Sequence, residues 1–367
     1  MGSVALVVVL ALLAAGLGWS WAQSGGYYTF VPGDALPVTA SSTCRASGAN
    51  PHFRDGGLCA RVFLPAARVH AVHGKLLMVD VLVGQTTPWQ YALSRLGLLD
   101  TFYRAAELYS STAVLGGAPA RQFACQGVQE MDQAILDAPV AALRRLGYTV
   151  RSTYQGNRVF LVQAGSPAAR GGLHCGSVIV AVDGQATLTT PALVRVIEAH
   201  PPGSTVTLTV DQGGSGRRRA KQRLRVTLGK RPGDPSAGFL GIATEALPTY
   251  HLPFHVAIDV GDIGGPSDGL AFTLGILDLL SGGRLTGGHV VAVTGTIGPH
   301  GGVGPVGGVE QKTVAVERAG ATVFLVPSSE VGTARSEAGR HLRVEGVSSL
   351  DQALGDLRAL GGSIPSA

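Results

Sequence analysis

Gly264-Gly265-Pro266-Ser267-Asp268-Gly269, followed by the apolar run Leu270 to Leu280, is the stretch on which the reading of this chain turns. Ser267 stands in a glycine- and proline-rich turn directly ahead of a segment with helical character. Its hydroxyl is therefore at or near a helix N-terminus, where unpaired N–H groups and the macrodipole favour developing negative charge. Lys312 follows 45 residues later in a second helical segment, Val309 to Ala319, closed by Gly320 in the C′ position. Val309, Lys312, Ala315, Val316 and Ala319 share one face, so the lysine lies among small apolar residues and its charged form is disfavoured. A neutral amine beside a serine hydroxyl is a general base beside a nucleophile. Taken singly, each residue has a simpler reading: a serine before a helix is a cap, and a lysine on an apolar face snorkels.

The surrounding motifs favour the chemical reading. Gly265-Pro266-Ser267-Asp268-Gly269, Thr294-Gly295-Thr296-Ile297, Val306-Gly307-Gly308-Val309-Glu310-Gln311-Lys312 and Arg318-Ala319-Gly320-Ala321 occur in that order. Together they make the region from Phe239 to Val326 resemble the proteolytic domain of Lon-type serine proteases. The resemblance implies that Ser267 is the nucleophile, Lys312 the base and Thr294 the hydroxyl that orients the lysine. One position departs from the family pattern: a small residue, typically alanine, follows the serine there, and Asp268 stands in its place. Two placements are open for Asp268. It faces solvent as a first-turn acid, or it approaches the lysine and favours the ammonium form. The second, in a mild form, is the expectation.

At 367 residues, 45% hydrophobic and 14% charged, the chain has room for two or three packed domains and is not disordered. Val4 to Trp21 is an 18-residue stretch without a charge, long enough to cross a bilayer, with Trp19 and Trp21 at its end. It is expected to be a signal anchor or transmembrane helix. The rival is a cleaved signal peptide ending near Ser20-Trp21-Ala22. The expected location is the cell membrane, single-pass, with the catalytic domain extracytoplasmic. None of the four cysteines has metal-ligand spacing, and no metal is expected. Cys44 and Cys59 either pair across a short loop or are free thiols. The cluster Arg217, Arg218, Arg219, Lys221, Arg223 and Arg225 lies on a hairpin of two alternating strands, Thr205 to Val210 and Arg223 to Leu228. No aromatic residues interleave with it, which argues against nucleic acid as a partner.

Tyr27 to Val38 reads as an extended linker, and the rest of the N-terminal part as a packing module without a chemical motif. Its helical stretch Val128 to Leu146 is expected to break or kink at Pro139. Farther on, Gly165-Ser166-Pro167-Ala168-Ala169, Gly172-Leu173-His174-Cys175-Gly176 and the strand ending in Val182-Asp183-Gly184 resemble a PDZ domain of the bacterial protease-associated type. Such a domain implies binding of peptide C-termini by strand addition, with the carboxylate loop expected near Gly156 to Phe160. His174 and Cys175 read as structural, and Arg231-Pro232-Gly233-Asp234-Pro235 as the linker out of the domain.

No G-x-x-x-x-G-K-[ST] stretch is present in the 367 residues. The order of segments therefore resembles the membrane-anchored, ATP-independent branch of the Lon-type proteins. The expected fold is α+β multidomain: an N-terminal transmembrane helix (1–23), an N-terminal α/β segment (24–145), a PDZ domain (146–230) and a Lon-type proteolytic domain (237–362). The expected activity is that of a serine endopeptidase with a Ser–Lys dyad and no cofactor. It would act on protein or peptide substrates whose C-terminal residues the PDZ domain binds, with the lipid bilayer contacted through the N-terminal helix and homo-oligomers compatible with the reading. The alternative is a catalytically weak PDZ peptide-binding scaffold.

Overall fold

The computed structural model describes residues 20, 22–39, 61–65, 68–211, 221–261 and 263–363. They form two compact units, one drawn from 1–118, 133–148 and 254–367, the other from 119–132 and 149–253.

The first unit is built on a six-stranded sheet in the order Arg343–Val347, Val323–Pro327, Val290–Val293, Lys75–Gln85, Tyr27–Pro37, Glu107–Ser110. Its first four strands are parallel, and Tyr27–Pro37 runs antiparallel to both its neighbours, Lys75–Gln85 and Glu107–Ser110. Val323–Pro327 is buried at all five positions, as expected of a parallel strand covered on both faces. Between Val290–Val293 and Val323–Pro327 runs the helix Val309–Arg318, here the lysine helix. The helix Gly269–Leu280, the serine helix, buries every residue from Gly269 to Leu279. A helix apolar all round is one with protein on every side. The last helix, Leu350–Ala359, buries Leu350, Ala353, Leu354 and Leu357, one stripe at helical spacing.

Two N-terminal readings change here. Tyr27–Pro37 is a strand of this sheet and not a linker, and Lys75–Gln85 pairs with Val290–Val293 in register Met78 to Val293. The N-terminal segment is thus part of the sheet that carries the site, not a module beside it. Gly33 makes the pairing feasible. It sits at a register shift, and a Cβ there would lie 1.8 Å from Asp80 Oδ1. Pro139, expected to break a helix, lies inside the continuous helix Ala120–Arg145. Burial of Ala138, Val140, Ala141, Ala142 and Leu143 around it offsets the missing hydrogen bond.

The second unit is an antiparallel sheet in the order Ile242–His251, Arg151–Val162, Val178–Val182, Thr205–Asp211, Lys221–Thr227, with the helix Thr190–Glu198. Val159, Ile179, Val182, Leu193, Ile197, Leu208 and Val226 are among its core residues. The expected hairpin of Thr205 and Arg223 strands is present, Thr205 opposite Thr227, whereas Arg217, Arg218 and Arg219 lie outside the described residues. Arg231-Pro232-Gly233-Asp234 is not a linker: Arg231 pairs with Asp234, so Pro232-Gly233 is the two-residue turn of a hairpin. The chain stays in this unit until Pro253, because Ile242–His251 pairs along its length with Arg151–Val162.

The expected fold class is corrected at its N-terminus. Among the described residues no helix is long and apolar enough to cross a membrane. The stretch Val4 to Trp21 lies, Ser20 excepted, outside the described residues. The architecture described is a PDZ-like unit and a Lon-like α/β unit, with no transmembrane helix.

Candidate active site

Ser267 is one residue before Asp268, the N-cap of the serine helix. The turn is closed by the Gly269 N–H donating to Pro266 O at 3.2 Å, with Gly265 at φ +92°. Gly269 is required by close approach: a Cβ there would stand 2.8 Å from Ile297 Cγ2. Ser267 is partly open to solvent.

Thr294 ends the strand Val290–Val293 and is tied down on both sides. Its N–H donates to Leu325 O at 3.0 Å and its Oγ1 donates to Ser267 O at 3.2 Å; the Gly295 N–H donates to the same carbonyl at 2.7 Å. Lys312 enters from the lysine helix, where its N–H donates to Gly308 O at 2.9 Å. Its Nζ donates to Thr294 Oγ1 at 3.0 Å. The structure thus brings Ser267, Thr294 and Lys312 together. The amine is hydrogen-bonded to the threonine and not to the serine hydroxyl.

Lys312 is 1% exposed. Burial lowers its pKa, while Asp268, Asp80 and Glu330 oppose that shift. Asp268 is 0% exposed, so it does not face solvent. Burial raises its pKa to about 6, against the opposing attraction of Lys312, and the Asp80 carboxylate pushes it further up. The Val79 N–H and Arg61 favour its ionised form. The Val79 group nonetheless falls short of hydrogen-bond geometry, and neither Asp268 oxygen has a hydrogen-bond partner.

Sequence reasoning missed Asp80 and Arg61. Asp80 lies on Lys75–Gln85, with Oδ1 accepting from the Asp34 N–H at 2.7 Å. Burial raises its pKa. Arg61 is buried and donates to Asp259 O at 3.3 Å. The available signal was an acid inside the otherwise apolar run Leu76 to Val83.

In the second unit the expected carboxylate loop is corrected. Gly156 to Phe160 lies within the strand Arg151–Val162, paired with Ile242–His251 on one side and with Val178–Val182 on the other. Gly156 marks a register shift opposite Leu247 and Pro248, so the loop-like glycine is a bulge. A cavity of about 230 Å³ lies instead between the helix Thr190–Glu198 and residues 238–244. Leu193, Val194, Ile197, Phe239, Leu240 and Ile242 supply its apolar lining. Cys175 is joined to Cys125 in a disulfide across 50 residues, a pairing that the sequence reading did not foresee; Cys44 and Cys59 lie outside the described residues. No cluster able to hold a metal is found among the described residues.

Comparison with known proteins finds two family models, the second of which begins within the unit that runs to Pro253. Residues 158–212 match the PDZ domain model, and residues 237–356 match that of the Lon protease (S16) C-terminal proteolytic domain. A Lon protease from Koribacter versatilis is 36% identical over 93 residues, covering 25% of this chain and 11% of that protein. The human mitochondrial Lon protease homolog is 34% identical over 86 residues, covering 23% and 9%. The matches therefore span about a tenth of these relatives' length. The PDZ domain of an SdrC-like protein from Listeria monocytogenes is 25% identical, covering 25% of this chain and 90% of that one, with a TM-score of 0.22. The chain is thus similar to a PDZ domain over residues 158–212 and to a Lon-type (S16) C-terminal proteolytic domain over residues 237–356.

Proposed function

We propose that this chain is a serine endopeptidase that cleaves peptide bonds through a Ser267–Lys312 dyad. The observation that carries the reading is the buried Lys312 amine, tied to Thr294 beside Ser267 and pushed by burial toward its neutral form. Neutral Lys312 takes the Ser267 proton as the serine oxygen bonds to the substrate carbonyl carbon. The carbonyl electron pair moves onto oxygen. The Ser267 and Asp268 N–H groups, which donate to no main-chain carbonyl among the described residues, would serve that oxyanion. Collapse breaks the C–N bond as the ammonium protonates the leaving amine. Water, deprotonated by the lysine, then hydrolyses the ester. The sequence of steps consumes no nucleotide, so we read the reaction as ATP-independent.

The PDZ domain would hold the substrate. The cavity beside Thr190–Glu198 is apolar and lies along Ile242–His251, a strand with one unpaired edge, which suits an added peptide strand with an apolar last residue. We assign the substrates to an extracytoplasmic compartment, which the Cys125–Cys175 disulfide supports, since disulfides persist where the environment oxidises. A second reading is a peptide-binding scaffold with weak catalysis. It is favoured by the absence of a Lys312–Ser267 hydrogen bond in this structure. A fluorophosphonate probe on wild type and Ser267→Ala separates the two: Ser267-dependent labelling with peptide hydrolysis is expected, and an unlabelled wild type would leave the scaffold.

A further inference from the structure

The cavity beside Thr190–Glu198 has only two charged residues in its lining, Glu198 and Arg231, and they are paired with each other. They come from different elements. Glu198 is the last residue of the helix, and Arg231 ends the strand Gly229–Arg231, ahead of the turn at Pro232-Gly233. Gly238, on the returning strand Asp234–Phe239, seats this hairpin on the helix end: a Cβ there would stand 2.5 Å from Ile197 O and 2.6 Å from His200 O. Arg231 Nη1 donates to Glu198 Oε1 across that junction. The other acid of the hairpin, Asp234, is engaged by Ser236, whose N–H donates to Oδ1 at 3.1 Å and whose hydroxyl donates to it at 2.6 Å.

Both members of the pair are partly open to water, 45% for Arg231 and 34% for Glu198. An ion pair this open is weak, so a second carboxylate can draw the guanidinium away from Glu198. A peptide whose last side chain fills the apolar lining brings such a carboxylate at its own C terminus, and Arg231 is the one cation that the lining offers it. The Leu240 and Gly241 N–H groups, which donate to no main-chain carbonyl among the described residues, are further donors in the same lining.

We propose that the Arg231–Glu198 pair is a latch on this groove: Arg231 leaves Glu198 for the C-terminal carboxylate of the bound peptide, and Glu198 holds the arginine when the groove is empty. The inference rests on the reading of the cavity as a peptide groove. Glu198 thereby sets a threshold. Peptides with a free C terminus replace its charge, whereas internal segments and amidated ends bring nothing to exchange. A guanidinium suits this role because its planar fork can face either carboxylate through two parallel N–H donors.

The test measures binding by fluorescence anisotropy on the full chain carrying Ser267→Ala, so that the probe stays whole. The probe is a fluorescein-labelled short peptide ending in leucine, prepared as the free acid and as the C-terminal amide. This chain is expected to bind the acid about tenfold more tightly than the amide, near the worth of one hydrogen bond to a charged group. Adding Arg231→Gln should cut that preference about fivefold by weakening the acid alone, and Arg231→Lys should keep part of it. Adding Glu198→Gln should tighten the acid by about two- to fivefold, the range of an exposed ion pair, and leave the amide unchanged. A preference for the acid that survives Arg231→Gln in full overturns the proposal, and so does an unchanged affinity for the acid in Glu198→Gln. If the chain binds neither peptide, the groove reading itself fails and the latch falls with it.

Discussion

Thr294 holds Lys312: the amine donates to Thr294 Oγ1 at 3.0 Å, and the same hydroxyl donates to the Ser267 carbonyl at 3.2 Å. One side chain thus ties the helix that carries Lys312 to the turn that carries Ser267. Thr294→Ala is expected to lower peptide hydrolysis by about 10- to 100-fold, within the range of a lost positioning bond, with the fold kept. Thr294→Ser restores the hydroxyl and should recover most of the rate. Equal loss in both variants would show that the methyl, and not the hydroxyl, matters.

Ser267→Ala and Lys312→Met should each reduce kcat by about three to six orders of magnitude, as for residues that act as a unit. The double variant is expected to be little worse than either single one. Single-turnover assays on the three variants, with circular dichroism as a fold check, read this out. A Lys312→Met enzyme that keeps most of its rate would remove the lysine from the reaction.

How much of this was legible in the sequence follows from where the information lies. The two helices were legible in local patterns, the apolar run behind Ser267 and the small-residue face around Lys312, whereas the grouping of Ser267, Thr294 and Lys312 came from the resemblance to Lon-type proteases. The N-terminal strands were missed for the opposite reason. Tyr27–Pro37 carries two internal breaks, Pro32-Gly33 and Pro37, and its pairing depends on a partner about 50 residues away. Asp80 had no motif around it, and its place beside the site comes from the pairing of Lys75–Gln85 with Val290–Val293. The expected carboxylate loop turned out to be strand because Gly156 looks like a loop residue until its pairing with Ile242–His251 is known.

Stability should depend on pH through Asp268. Its folded pKa is raised to about 6 from 3.8, so the folded state binds this proton more tightly than the unfolded chain. The group's contribution is fully present below about pH 4 and is lost as pH rises through 6. That loss is roughly 3 kcal/mol at most. Asp268→Asn should therefore unfold at the same temperature as wild type near pH 4 and at a higher one above pH 7. A constant difference across that range would mean that the carboxyl is not buried as described.

The Cys125–Cys175 link closes a loop of 50 residues within the PDZ-containing unit. By the chain-entropy relation such a crosslink is worth about 4 kcal/mol. Cys125→Ser/Cys175→Ser is expected to unfold this unit at a lower denaturant midpoint, with peptide capture falling in parallel. An unchanged midpoint, or both sulfurs titrating as free thiols in native wild type, would remove the bond from the account.

Val194 offers a test of the groove that leaves the reaction centre alone. It lines the cavity beside Thr190–Glu198 yet is 42% exposed, so a larger polar side chain there can reach solvent without disturbing the core. Val194→Arg should crowd an apolar C-terminal side chain while leaving Leu193 and Ile197 buried behind it. Affinity for C-terminal peptides is expected to fall by about tenfold, near the value of one buried aliphatic contact. Cleavage of protein substrates that depend on the groove should drop with it. Cleavage of short peptides, which reach Ser267 unaided, should not change. Equal losses on both substrate classes would mean that the second unit supports the proteolytic one and does not select for it. Unchanged affinity would move the binding site away from this cavity.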